Sequence, residues 1–353
     1  LRRRTSALAA EDAVVLDRRN PWELGAVAAA MWLASHMGMK LLYLVRPDPL
    51  LVVFTTAGWW CATVALLSER RRWWVNLLCW LSVAGVAMCK GPPALLLVIY
   101  IVLGSRLLAG RWSAMARTGI AWGLPLAAGL FGAWLGAAYL VDPRAVVEEL
   151  IGDQALGKVT RRGPERIITE FYKAPGYMIL RFLPWSLVAI LTLVHIPPRR
   201  WWSHPLGPAI LWVLIVVLFF MGAADKRPDY FAPAMPALAI LATYWLVIVG
   251  AKHRLGVRPV LLGAGAVLVG FAIYHWQFSD AARTGYGDRV RRFAGEVRQI
   301  VGDAPVGYQD TGYHPLQAYL GDNDPDPPPA EVRWVIVPRS QGEAFDGRIV
   351  ITS

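Results

Sequence analysis

The sequence predicts an all-α polytopic membrane bundle that ends in a small soluble α/β domain. Mean hydropathy is +0.41, and only 17% of the 353 residues are charged, where soluble proteins carry about 25%. Apolar runs of about 20 residues, the length that crosses ~30 Å of hydrocarbon, recur through positions 1–277. From Phe278 onward they give way to amphipathic and strand-like patterns. The net charge of +11 does not indicate nucleic acid, because Lys and Arg lie in short clusters between apolar runs and not in one patch. That distribution suits membrane topology.

Taken in order, the apolar runs fall near residues 22–44, 50–68, 118–140, 176–196, 206–224, 230–250 and 257–277. The stretch 73–108 is too long for one span, and Lys90-Gly91-Pro92-Pro93 stands at its middle. Gly and Pro break helices and a lysine is expensive in lipid, so two shorter helices are expected to meet there at the bilayer surface. The expected total is nine membrane segments. Cys61, Cys79 and Cys89 lie in or beside apolar stretches with neither disulfide-framework nor zinc spacing, and read as packing residues. The chain starts at Leu1 with a polar stretch that has no signal-peptide core, so we expect its natural N-terminus further upstream.

Orientation follows from the linkers. Alternate connections carry Arg2 to Arg4 with Arg18 and Arg19; Arg70 to Arg72; Arg106, Arg111 and Arg117; Arg199 and Arg200; and Lys252, Arg254 and Arg258. The positive-inside rule puts these in the cytoplasm. The turns at Arg46-Pro47-Asp48-Pro49, at Lys90-Gly91-Pro92-Pro93 and at Asp225-Lys226-Arg227-Pro228-Asp229 then face out, with the loop 141–175 and everything after Trp276.

In the tail, Val290, Phe293, Ala294, Val297, Ile300 and Val301 share one helical face. Strand-like runs begin at Pro305, Arg333 and Arg348, separated by the Pro-rich turn from Asp324 to Pro329. Residues 278–353 therefore read as an extracytoplasmic α/β domain, with 1–277 as the membrane core.

Each short outer turn sets ionisable residues beside prolines: Asp48, Lys90, and Lys226 with Arg227 and Asp229. A single charged turn at a membrane surface is ordinarily a solvated cap. What outweighs that reading is their common placement on one face. A carboxylate beside cations is what a transferase needs to deprotonate a hydroxyl or amine while a departing phosphate is held. Lys40 and His36 are four apart on one helix face, and Lys40 is close enough to the outer end to snorkel. Tyr177 reads as part of an interfacial aromatic belt.

Four stretches carry a family resemblance: Met88-Cys-Lys-Gly-Pro-Pro-Ala-Leu-Leu-Leu, Phe182-Leu-Pro-Trp-Ser-Leu, Lys226-Arg-Pro-Asp-Tyr-Phe-Ala-Pro-Ala-Met-Pro-Ala-Leu, and Arg46-Pro-Asp-Pro-Leu-Leu. They resemble the GT-C membrane glycosyltransferases, nearest the branch of bacterial aminoarabinose transferases and protein O-mannosyltransferases. The Lys-x-Pro-x-Tyr spacing from Lys226 is the most specific part. The resemblance covers the chain from about residue 30 and implies transfer of a sugar from a polyprenyl-phosphate donor, such as undecaprenyl phosphate, to lipid A, another glycolipid or a protein. The site would face the periplasm from a bacterial inner membrane.

Carried over by residue, the resemblance implies a catalytic Asp48, a donor phosphate held by Lys90, Lys226 and Lys158, and a substrate contact from Tyr230. Arg181, near the outer start of its helix, is placed to reach the headgroups or the phosphate, and Tyr177 is the alternative sugar platform to its reading as belt. Lys158 stands where relatives often place an arginine, a change that loses bidentate geometry and keeps the charge. The family's principal catalytic carboxylate would precede residue 1. No cofactor is expected, and Glu149 and Asp153 are the weak candidates for a divalent cation. Two other classes compete. A transporter or flippase should show inverted repeats and polar residues on broken helices near the midplane; a scaffold needs no clustered Asp and Lys.

Overall fold

The computed structural model describes residues 20–43, 47–70, 72–143, 146–147, 171–222, 226–249, 257–274, 281–302, 306–308 and 334–336. The chain divides into two compact units, Leu1–Phe271 and Ala272–Ser353.

In the first unit, α1 (Pro21–Leu33) is opened by Asn20, whose Oδ1 accepts from the Trp22 amide at 3.0 Å, with Pro21 in the first turn. The run expected as one segment over 22–44 is broken after α1. Ser35 Oγ donates to the Trp32 carbonyl at 2.7 Å and accepts from the Gly38 amide at 3.0 Å. It thereby caps the start of α2 (His36–Tyr43). Next come α3 (Asp48–Leu67) and α4 (Trp73–Lys90), which pack antiparallel along their lengths. Gly58 permits that closeness, since a Cβ there would come within 2.6 Å of Leu97 and 3.1 Å of Ser82. The short α5 (Ala94–Leu107) follows, then a 3₁₀ helix Trp112–Thr118 and α6 (Ile120–Val141).

The apolar run 176–196, expected to be one span, is instead α7 (Lys173–Arg181) and α8 (Trp185–His195), bent by 117°. Pro184 has no amide hydrogen and its ring opposes the preceding turn, so the helix stops although hydropathy continues. After a 3₁₀ turn Pro198–Ser203 come α9 (Gly207–Met221), a 3₁₀ helix Pro228–Ala234, and α10 (Met235–Tyr244), which runs into a π turn at Trp245–Val249. The core includes Trp80, Tyr100, Phe182, Trp212 and Phe231, all fully buried. Trp59 stacks on Trp212 at 6.0 Å, and Tyr100 meets Trp212 edge-on at 5.7 Å.

Among the described residues, α3, α4, α6 and the stretch Pro228–Val247 are long and apolar enough to cross a membrane, and the bent pair α7–α8 would add a fifth span. α5, α9 and residues Arg258–Tyr274 of α11 (Val257–Tyr274) are apolar but shorter. The expected segments 22–44 and 176–196 are each divided, at Ser35 and at Pro184, where a hydropathy window reads on across one residue.

The second unit contains α12 (Ala281–Val301) and two short strands, β1 (Val306–Tyr308) and β2 (Trp334–Ile336). The strands pair in parallel, Val306 opposite Trp334 and Tyr308 opposite Ile336. The strand read near Arg348 lies outside the described residues.

Candidate active site

Asp48 begins α3, preceded by Pro47, and Lys90 ends α4. Because the two helices are antiparallel neighbours, the N-terminus of one meets the C-terminus of the other. Lys90 Nζ donates to Asp48 Oδ1 there, in an ion pair between residues 42 positions apart. Each charge also suits its own helix end, an anion at the positive N-terminus and a cation at the negative C-terminus. Gly91 stops α4 with φ of 68°, a left-handed backbone that glycine adopts without a Cβ clash. The Asp48 side chain is 3% exposed and that of Lys90 is 28% exposed. The carboxylate is therefore buried, while part of the lysine reaches the surface.

The turn from Lys226 to Tyr230 closes over this pair. The Lys90 ammonium lies 5.3 Å from the centroid of the Tyr230 ring, within cation–π range. Tyr230 in turn stacks on Phe220 of α9 at 5.2 Å, and Phe231 packs edgewise against the same ring at 5.6 Å. Trp212 Nε1 donates to the Pro233 carbonyl at 2.7 Å, tying the 3₁₀ helix to α9. Lys226, four residues before Tyr230, is buried.

Two polar contacts hold α2, the first of them to the turn that carries Tyr230. Lys40 Nζ donates to both oxygens of Asp229, at 2.6 and 2.7 Å. Arg181 Nη1 donates to His36 Nε2. The bend that positions Arg181 is held by Trp185 Nε1 donating to the Ala34 carbonyl at 2.8 Å and Ser186 Oγ donating to the Ile179 carbonyl at 2.8 Å. Tyr177, half-buried on α7, packs against the hydrophobic core.

The structure thus brings Asp48 and Tyr230 to the same Lys90, with Lys226 in the turn that carries Tyr230. It places Arg181 on His36. Lys158, Glu149 and Asp153 lie outside the described residues. Lys40 does not snorkel: it is held by Asp229, and its side chain is only 19% exposed. Sequence reasoning missed this pair and the His36–Arg181 contact. The available signal was the i, i+4 spacing of His36 and Lys40 on an apolar helix, where ionisable groups seek partners. Chemically, the arrangement is one ammonium, that of Lys90, over an aromatic face, with Lys90 and Lys40 each paired to a carboxylate. An incoming phosphate can compete for Lys90. Among the described residues no three His, Cys, Asp or Glu side chains gather as metal ligands.

No family model matches the chain. A curated relative, the undecaprenyl phosphate-alpha-4-amino-4-deoxy-L-arabinose arabinosyl transferase of Shewanella sediminis, is 24% identical over 233 residues, which is 65% of this chain and 41% of the relative. The chain spans about two fifths of that relative's length. Among solved structures, ArnT from Cupriavidus metallidurans bound to undecaprenyl phosphate superposes with a TM-score of 0.65 at 17% identity, covering 88% of this chain and 68% of that one. Its apo form gives 0.63 at 18% identity, covering 88% and 67%. The fold is that of this transferase, and the chain resembles the GT-C glycosyltransferases of the aminoarabinose transferase branch.

Proposed function

We propose that this chain carries the donor-phosphate site of a membrane glycosyltransferase that moves a sugar from a polyprenyl-phosphate carrier to an acceptor hydroxyl or amine. The observation that carries the reading is the pairing of Lys90 with the buried Asp48, against the Tyr230 ring, in a fold shared with a transferase whose crystal structure holds undecaprenyl phosphate. The relatives found are transferases, which does not favour the transporter or flippase alternative.

In this reading the carrier phosphate binds Lys90 and Lys226, with Lys158 and Arg181 beside them, and Tyr230 and Tyr177 line the substrate. The phosphate takes Lys90 from Asp48, and the freed carboxylate can accept the acceptor's proton. The acceptor oxygen or nitrogen attacks the anomeric carbon, and the bond from that carbon to the phosphate oxygen breaks with its electron pair on the leaving phosphate. Negative charge grows there as the sugar departs, so fixed cations stabilise the transition state more than the ground state. The acceptor is lipid A, another glycolipid or a protein, and the site opens to the periplasm of a bacterial inner membrane, as the charge bias of the linkers supports.

Binding of a purified polyprenyl phosphate to the full-length protein tests the reading. Wild-type protein should retain the lipid, and Lys90→Met should retain it at least about tenfold less well, as for a lost charge-assisted contact. Equal retention would remove Lys90 from the donor site.

A further inference from the structure

At the ends of α3 and α4 remote from Asp48 and Lys90, about 27–30 Å away along the helix axes, lies a shallow, open depression. Its polar lining is Ser68, Arg70, Arg72, Asn76 and Arg117, above an apolar floor that includes Val75. The arginines come from two elements: Arg70 and Arg72 from the α3–α4 linker, and Arg117 from the 3₁₀ helix Trp112–Thr118.

This is more than a solvated basic linker. Asn76 Nδ2 donates to the Arg117 carbonyl and Trp80 Nε1 to the Thr118 carbonyl, both at 2.8 Å. These bonds fix the backbone on which Arg117 stands, and Arg117 Nη1 reaches the Ser68 carbonyl at 3.5 Å. Among the described residues no carboxylate forms an ion pair with Arg70, Arg72 or Arg117; Glu69 is exposed and does not line the pocket. Arg72 gives α4 no side-chain cap, so the positive end of an 18-residue helix adds to the field. Trp73, Trp74 and Trp112 are 73%, 43% and 55% exposed, and exposed indoles beside apolar helices lie at headgroup depth.

We propose that this pocket binds the phosphodiester headgroup of an anionic membrane lipid. Planar guanidinium groups match phosphate oxygens in pairs, and the exposed tryptophans set the depth. The site is independent of sugar transfer at the other end of the helices.

Native mass spectrometry of the full-length protein, released from micelles that contain phosphatidylglycerol and phosphatidylcholine, tests the proposal. Wild-type protein should retain phosphatidylglycerol preferentially, and millimolar inorganic phosphate should not displace it. The double variant R72Q/R117Q should lose that preference by at least about tenfold, since each surface arginine adds about a factor of five to anionic-lipid binding. R70Q, on an exposed position, should show a smaller loss with the fold intact, and R117K should retain part of the preference. Equal preference in wild type, R70Q and R72Q/R117Q would overturn the proposal. Displacement by inorganic phosphate would overturn the lipid source and assign the pocket to a soluble anion.

Discussion

The ammonium of Lys40 is shared by both carboxylate oxygens of Asp229, at 2.6 and 2.7 Å, across 189 positions of sequence. Asp229 immediately precedes Tyr230, whose ring underlies Lys90. The Lys40 pair therefore fixes the turn that carries the aromatic floor of the site. Lys40→Met and Asp229→Asn should each lower stability, and a double-mutant cycle should give a coupling of about 1–2 kcal/mol, between surface and buried ion pairs. Melting curves of the single and double variants check this.

Lys90→Met should lower stability as well as turnover. Sequence considerations alone would treat Lys90 as a surface residue whose loss changes stability by no more than about 0.5 kcal/mol. Its partner Asp48 is buried, so removing the lysine leaves a buried carboxylate uncompensated, at a cost of about 2 kcal/mol. Adding Asp48→Asn should recover part of that stability without restoring transfer. Equal melting temperatures for wild type and Lys90→Met would contradict the pairing.

Tyr230→Phe should keep most activity, and Tyr230→Leu should lose roughly tenfold. The ring face, not the hydroxyl, attracts the ammonium, and such contacts are worth about 0.5–2 kcal/mol. Transfer rates of the two variants, measured side by side at saturating donor, decide it. A loss in Tyr230→Phe as large as in Tyr230→Leu would shift the role to the hydroxyl.

Much of the arrangement was legible in the chain. The Gly-Pro-Pro break after Lys90 and the proline beside Asp48 mark helix ends, and antiparallel packing of consecutive apolar helices brings those ends together. The bend at Pro184 was hidden because a hydropathy window averages across one residue that removes an amide hydrogen. The Lys40–Asp229 and His36–Arg181 contacts were hidden for a different reason. Helical periodicity gives the face of a side chain but not which distant helix that face meets.

Sugar transfer from a purified polyprenyl-phosphate donor, by the full-length protein with Lys90→Met and with Lys226→Met, tests the central claim most directly. In the proposed reading both lysines hold the departing phosphate, so turnover should fall roughly a hundredfold in each, as for loss of one preorganised charge-stabilising donor. Lys226→Arg should keep part of the activity, because a point charge survives that change. Wild-type turnover in both Met variants would contradict the account and return these lysines to structural capping.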